Sequence, residues 1–165
     1  MDAHKRKQDL FAEEANRLSV LLARTQATIA ALPLTGVVET MRPLSTRPIS
    51  GMPPFVWGVA IIRGAPVPVV NLSLLLRGSK GEEITRFVTL RAGGRLIALA
   101  VEQVIGVHEL EAAALEAMPP LIRDVQPDIV TAIGVLDHQL LMVLESSRII
   151  PDELWQALDA GGAAP

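Results

Sequence analysis

The sequence predicts a mainly β protein in which two small barrels or sheets pack together. The first observation behind this prediction is that residues 18–76 and 87–150 follow one order of strand-like runs and turns. The second is that these runs are rich in valine and isoleucine, which strands favour. The third is that several runs are apolar at every position, as in strands buried on both faces. A duplicated all-β module accounts for all three observations.

Each copy is predicted to begin with two strands and a short helix-like piece. In the first copy these are Leu18–Arg24, Thr28–Leu32 and the helix-like Thr35–Thr40. Their counterparts in the second copy are Phe87–Arg91, Arg95–Val101 and the helix-like Glu102–Ile105. A loop with a Pro-Pro pair and a second hairpin follow in both copies. The hairpin strands are Val59–Ile62 with Val67–Val70, and Ile133–Leu136 with Leu140–Leu144.

Turn residues and prolines constrain how these strands pair. Gly93-Gly94 and Asp137-His138 are suited to two-residue hairpin turns. Pro66 and Pro68 have no amide donors, so they restrict the strand around Val67 to an edge or a bulged position. We expect the two copies to interleave rather than to form independent domains.

The two ends of the chain differ in composition from the middle. Residues 1–17 are predicted to form a helical arm, which either lies on the domain or binds a partner. Residues 151–165 are predicted to form a helix and a tail, because a proline at the first turn is followed by acidic residues. Leu154, Trp155 and Leu158 would be the buried face of that helix. The domain itself is expected to span residues 18–150.

Composition argues against several classes of function. The net charge of −3 provides no basic field for nucleic acid, and two tryptophans, three phenylalanines and no tyrosine provide few stacking platforms. Without cysteine the chain has neither disulfides nor thiolate metal ligands. The longest apolar run, residues 55–62, is shorter than the roughly 20 residues that span a bilayer. We therefore expect a cytoplasmic protein that neither binds nucleic acid nor inserts into a membrane.

The sequence contains no constellation that supports catalysis. No nucleophile lies in a Gly-x-Ser-x-Gly elbow, and no glycine-rich phosphate loop follows a strand. His108, Glu109 and Glu111 are residue types that bind metals, but adjacent residues on a strand point to opposite faces, so His108 and Glu109 would diverge. We expect no enzyme activity, no cofactor and no metal.

The most distinctive motif lies in the first copy and covers Gly58 to Leu72. It reads Gly-x-x-x-x-Arg-Gly-x-x-x-Pro-Val-x-Asn-Leu. With the upstream segment Leu32–Pro43 and the downstream Val101–Val104, it resembles the CheW-like domain of bacterial chemotaxis coupling proteins. The resemblance covers residues 18–150. Asn71 stands where that family usually has aspartate, and Ala65 where it often has a charged or larger residue.

The resemblance implies a fold and a role. The fold would be two intertwined five-stranded SH3-like β-barrels with short and terminal helices. The role would be a non-enzymatic adaptor between methyl-accepting chemoreceptor tips and the regulatory domain of a CheA-type histidine kinase. The receptor tip, a helical hairpin, would dock in the groove between the barrels. By motif matching, Val37, Glu39, Gly58 and Arg63 fall at positions tied to receptor contact or to the adjoining fold; kinase-binding residues are not assigned.

Comparison of the two copies independently selects two of these residues. Arg63 begins a turn where the second copy has Asp137, and Glu39 matches Gly106. We predict that Glu39 and Arg63 form an ion pair that shapes a turn and presents charge to a partner. The alternative is that Arg63 is a solvated hairpin residue and Glu39 an exposed helix position. Val37 could equally be a core residue.

A second function fits the same resemblance. The chain could be a divergent CheW-like scaffold that links a kinase to another sensory or motility system, such as a pilus type, without a classical receptor. The sequence does not distinguish which receptors, kinase or motility output it serves.

Overall fold

The computed structural model describes residues 16–26, 28–77, 81, 83–117 and 128–162. The predicted helical arm at residues 1–17 and the end of the predicted tail lie almost wholly outside these residues. The described part contains ten strands. They are β1 Arg17–Thr25, β2 Thr28–Pro33, β3 Val37–Met41, β4 Val56–Ile62, β5 Ala65–Asn71, β6 Arg86–Ala92, β7 Arg95–Val101, β8 Gln103–Glu111, β9 Val130–Leu136 and β10 Gln139–Leu144.

The strands form two five-stranded sheets, and each sheet takes strands from both halves of the chain. Sheet 1 has the order β8-β1-β2-β10-β9, and sheet 2 has the order β3-β6-β7-β5-β4. Strands β1 to β5 come from the first half of the chain and β6 to β10 from the second. Exchanging β1 with β6, β2 with β7, and so on to β5 with β10, converts one sheet order into the other. The predicted mainly β fold with two interleaved five-stranded units is therefore confirmed.

Three apolar clusters explain why the sheets curve and pack. One cluster takes its side chains from all five strands of sheet 1, among them the buried Val20 and Leu22. A second does the same for sheet 2 around Phe87. The third is the inter-sheet core, where the alternate residues Leu21 and Ala23 of β1 meet Val88 and Leu90 of β6. Strands such as β1 and β6 are thus buried on both faces, which is why their runs are continuously apolar.

The prediction of two helix-like pieces, Thr35–Thr40 and Glu102–Ile105, is wrong. Residues 35–40 form the end of a 3₁₀ turn, Leu34–Gly36, and then strand β3. Residues 102–105 lead into β8, which pairs with β1 along its length. Both segments are edge strands, and in β3 the partly buried side carries Glu39 while the exposed side carries Val38, so residue polarity does not follow the two-residue period of burial. The β-branched residues of Val37-Val38-Glu39-Thr40 favour the strand that the structure shows.

Two α-helices complete the described part. Helix α1, Leu72–Arg77, follows β5, and the Leu74 N–H donates to the Asn71 side-chain oxygen over 2.9 Å, as in a helix N-cap. Helix α2, Asp152–Gly162, confirms the predicted C-terminal helix, with Leu158 buried and Leu154 and Trp155 packed against the inter-sheet core. Neither helix in the described ranges has the length and apolar character needed to cross a membrane.

Candidate functional site

The predicted ion pair between Glu39 and Arg63 is confirmed. Arg63 donates from Nε to Glu39 Oε1 over 2.8 Å and from Nη2 to Glu39 Oε2 over 2.6 Å. Glu39 lies on β3, at one edge of sheet 2. Arg63 lies on the turn that follows β4, the strand at the other edge. The bidentate geometry therefore joins these edges at one corner. We call this corner, with Glu39, Arg63 and the β4–β5 turn, the ion-pair corner.

Arg63 lies in a tight turn with an uncommon backbone conformation. Ile62 pairs with Ala65 across the turn, and Arg63 and Gly64 have φ of 51° and 80°. Two residues at positive φ make the tight hairpin that suits the twist of paired strands. Glycine accepts this conformation without cost, whereas arginine rarely adopts it. The bidentate bond to Glu39 supports this uncommon conformation of Arg63.

Thr89 on β6 holds the backbone of Glu39. The β3–β6 register shifts between Val37 and Glu39, as at a β-bulge. There the Glu39 N–H donates to Thr89 Oγ1 over 3.2 Å, and the Thr89 hydroxyl donates to the Glu39 carbonyl over 3.3 Å. Thr89 is almost fully buried. Sequence reasoning missed this residue, since a threonine in an apolar strand 50 positions away carries no local signal.

The ion pair favours the ionised form of both of its groups. Hydrogen bonds from Arg63 lower the pKa of the Glu39 carboxyl, and the same bonds raise the pKa of Arg63. The exposure of the two side chains is unequal, at 77% for Arg63 and 25% for Glu39. The Arg63 guanidinium is thus hydrogen-bonded to Glu39 while most of the Arg63 side chain remains exposed.

Gly58 has a structural reason to be glycine. Its φ is 142°, and a Cβ at this position would lie 2.0 Å from the Arg47 carbonyl oxygen. The chain after β3 pairs with β4 here through an isolated antiparallel bridge, in which Arg47 and Val59 exchange two backbone hydrogen bonds of 2.8 and 2.9 Å. Gly58 therefore lets this segment lie against β4, the strand that leads to Arg63. Whether it also touches a partner remains a prediction.

Val37 is partly buried and packs against the inter-sheet core. Its neighbours are more open, because Leu34 is 37% exposed and Val38 is 43% exposed. Beside them lies a cleft of ≈ 110 Å³ between the sheets, lined by Leu32, Pro33, Thr35, Gly36, Leu90, Leu144, Glu145 and Ser146. Sequence reasoning missed the exposed pair of Leu34 and Val38, since edge-strand exposure depends on the sheet order.

The equivalent corner of sheet 1 carries different residues. Glu39 pairs with Thr89 on β6, and the matching residue of β8, Gly106, pairs with Leu22 on β1. Asp137 replaces Arg63 in the turn, with φ of 49°. His108 and Glu109 lie on β8, and the described residues contain no cluster of three or more metal-type side chains.

Comparisons with known proteins find similarity to one family. The family model described as CheW-like domain matches residues 19–154. A chemotaxis protein CheW of Klebsiella aerogenes is 25% identical over 113 residues, which cover 67% of this chain and 68% of that protein. A chemotaxis protein CheW of Helicobacter pylori is 20% identical over 122 residues, covering 73% of each chain. The crystal structure of scaffolding protein TtCheW from Thermoanaerobacter tengcongensis superposes with a TM-score of 0.72 at 18% identity, covering 83% of this chain and 94% of that one.

Proposed function

Because the chain belongs to the CheW-like domain family of chemotaxis scaffolds, we propose that it couples chemoreceptor tips to a CheA-type histidine kinase without catalysing a reaction. The domain would span residues 18–150 and act in the cytoplasm, recruited to membrane-associated receptor arrays. Its chemistry would be recognition alone. Apolar residues would supply affinity and charged residues specificity.

The observation that carries this proposal is the ion-pair corner. It presents an Arg63 side chain that is paired with Glu39 and still mostly exposed, and the exposed Val38 precedes Glu39 on β3. A receptor tip is a helical hairpin, and an amphipathic helix binds through apolar anchors in a groove with charges at its rim. Val37 would support the apolar part of this surface, Glu39 would orient Arg63, and Gly58 would hold the adjoining backbone. A different face would meet the regulatory domain of the kinase.

Arg63→Ala tests the receptor face directly. We expect about a tenfold loss of affinity for the receptor tip, as for a rim charge with a bonded partner. Binding to the kinase regulatory domain should not change, nor should the melting temperature fall by more than a few degrees. Isothermal titration against each purified partner measures the two affinities.

Arg95→Ala is the matched control. Arg95 also makes a bidentate pair with a carboxylate and is also exposed, but it lies at the start of β7. It should leave receptor affinity intact. Equal losses in both variants would remove Arg63 from the receptor face. A wild-type chain that binds the kinase domain but no tip would instead indicate the scaffold that serves another sensory system.

A further inference from the structure

The parallel ladders of the two sheets differ in place and length. In sheet 1, β10 pairs with β2 from Leu140 with Thr28 to Val143 with Ala31. In sheet 2, β5 pairs with β7 only from Val69 with Ala98 to Asn71 with Ala100. Counted from the hairpin turns, Pro66 and Pro68 occupy the positions of Leu140 and Met142. A proline has no N–H to donate, so the parallel pairing cannot extend toward the turn of sheet 2.

The missing ladder leaves a wedge between β5 and β7, lined by Pro66, Pro68 and Leu96 on the sheet. Helix α2 lies on this wedge and contributes Trp155 and Leu158. A mainly apolar groove of ≈ 540 Å³ remains open beside the helix. The prolines thus create a helix-binding surface on sheet 2 where sheet 1 continues its ladder.

Arg95 clamps the helix at the rim of the wedge. It donates from Nη1 to Asp159 Oδ1 over 2.7 Å and from Nη2 to Asp159 Oδ2 over 2.8 Å. Its guanidinium also lies 4.8 Å from the centre of the Trp155 ring, within cation–π range. An apolar stripe in a groove plus one charged clamp is the pattern by which grooves bind separate amphipathic helices.

The connection of α2 to the body is short. Ile149 and Ile150 are buried in the inter-sheet core, and the helix begins at Asp152, so Pro151 alone joins them. The clamp is exposed, at 47% for the Arg95 side chain and 58% for Asp159, and exposed pairs hold weakly. Short hinges favour exchange of an element between copies, since every contact made within one chain can form between two.

We propose that the wedge is a helix-docking site that accepts the C-terminal helix of a second copy of this chain. Two copies would exchange helices, with Trp155, Leu158 and Asp159 of each seated on Pro66, Leu96 and Arg95 of the other. Within one chain the short tether gives the helix a high effective concentration. This opposes exchange in dilute solution, and exchange competes with it only where copies reach a comparably high local concentration. The site links adaptor to adaptor and does not depend on the proposed receptor or kinase contacts.

A charge-reversal mixture tests this exchange in the full-length chain. Arg95→Asp places a carboxylate opposite the native Asp159, and Asp159→Arg places a guanidinium opposite the native Arg95. In each variant, like charges at positions 95 and 159 weaken the docking of the helix within its own chain. Between the two variants both exchanged contacts pair opposite charges. We expect native mass spectrometry of an equimolar mixture to show the heterodimer well above the twofold statistical excess over either homodimer.

Two controls make the result decisive. The double variant Arg95→Asp/Asp159→Arg restores complementary charges within one chain, so it should behave as the wild type. A mixture of Arg17→Glu with Glu109→Arg reverses another exposed ion pair, of 3.7 Å, that joins two paired strands of sheet 1. That mixture should show no heterodimer excess. A charge-reversed mixture without excess heterodimer, with the double variant as stable as the wild type, would mean that the helix stays in its own chain and would overturn the proposal.

Discussion

The β4–β5 turn of sheet 2 and the β9–β10 turn of sheet 1 have a similar backbone and different chemistry. Sheet 2 pairs Glu39 with Arg63 through two hydrogen bonds, whereas sheet 1 has Gly106 and Asp137 at the matching positions. Both turns have two residues at positive φ, and in both sheets an isolated bridge forms on the strand before the turn, Arg47 with Val59 and Glu116 with Ile133. The shared framework forms without the ion pair in sheet 1. The charges of sheet 2 are therefore free to serve recognition.

The second difference between the sheets lies in their parallel ladders. Leu140 and Met142 allow β10 to pair with β2 next to the turn, and Pro66 and Pro68 prevent this in sheet 2. A helix then covers what the ladder leaves open. Each of these two prolines removes a backbone donor on the side of β5 that faces β7, where β10 of sheet 1 has donors.

The largest effect should come from Gly58→Ala, which tests how the two sheets tolerate the same unusual backbone. Gly58 and Gly106 have φ of 142° and 143°, but only the Cβ at Gly58 would strike the Arg47 backbone. Gly106→Ala adds strain alone and should lower the free energy of unfolding by about 1 kcal/mol. Gly58→Ala adds the clash and should cost about 3 kcal/mol. Urea unfolding measures both, and equal losses would show that the Arg47 segment moves aside freely.

An intermediate effect should follow from making sheet 2 like sheet 1. Pro66→Leu/Pro68→Met supplies two backbone donors at the edge of β5 that faces β7. We expect the ladder to lengthen and the new amides to exchange with solvent at least about tenfold more slowly than unprotected ones. Hydrogen exchange read by NMR measures them. Pro43→Leu, in the exposed loop after β3, is the control whose new amide should exchange fast. Fast exchange at 66 and 68 would show that helix α2, not the prolines, keeps the wedge open.

The smallest effect should be the pH dependence of the ion-pair corner. Arg63 lowers the pKa of the Glu39 carboxyl in the folded state. A lowered pKa contributes stability that is present above the ordinary glutamate range and is lost as pH falls through the folded value. The small difference in melting temperature between wild type and Glu39→Gln at neutral pH should therefore shrink as pH falls below the ordinary glutamate range and through the lowered folded pKa. Calorimetric scans measure it, and a difference that persists unchanged in acid would mean that the carboxylate charge is not its source.

Much of the fold follows from local patterns in the sequence. The hairpins at Gly93-Gly94 and Asp137-His138 and the C-terminal helix after Pro151 were predictable, because turn geometry and helix starts depend on neighbouring residues. The ion pair was predicted by comparing the copies, which singled out Glu39 and Arg63 independently of the family motif. Strand β3 and the start of β8 were predicted as helix-like pieces. In β3 the polar Glu39 lies on the partly buried side and the apolar Val38 on the exposed side, so residue polarity does not follow burial.

The sequence by itself determined that the chain folds into two interleaved β units and which two charges distinguish them. Only the tertiary structure decided that Thr89 binds the backbone of Glu39 and that the Arg47 backbone lies against Gly58. It also decided that Pro66, Pro68 and Trp155 line one groove. Each of these depends on which strands become neighbours. Strand choice is settled by burying three apolar clusters together, and side chains far apart in the chain meet only when that packing forms.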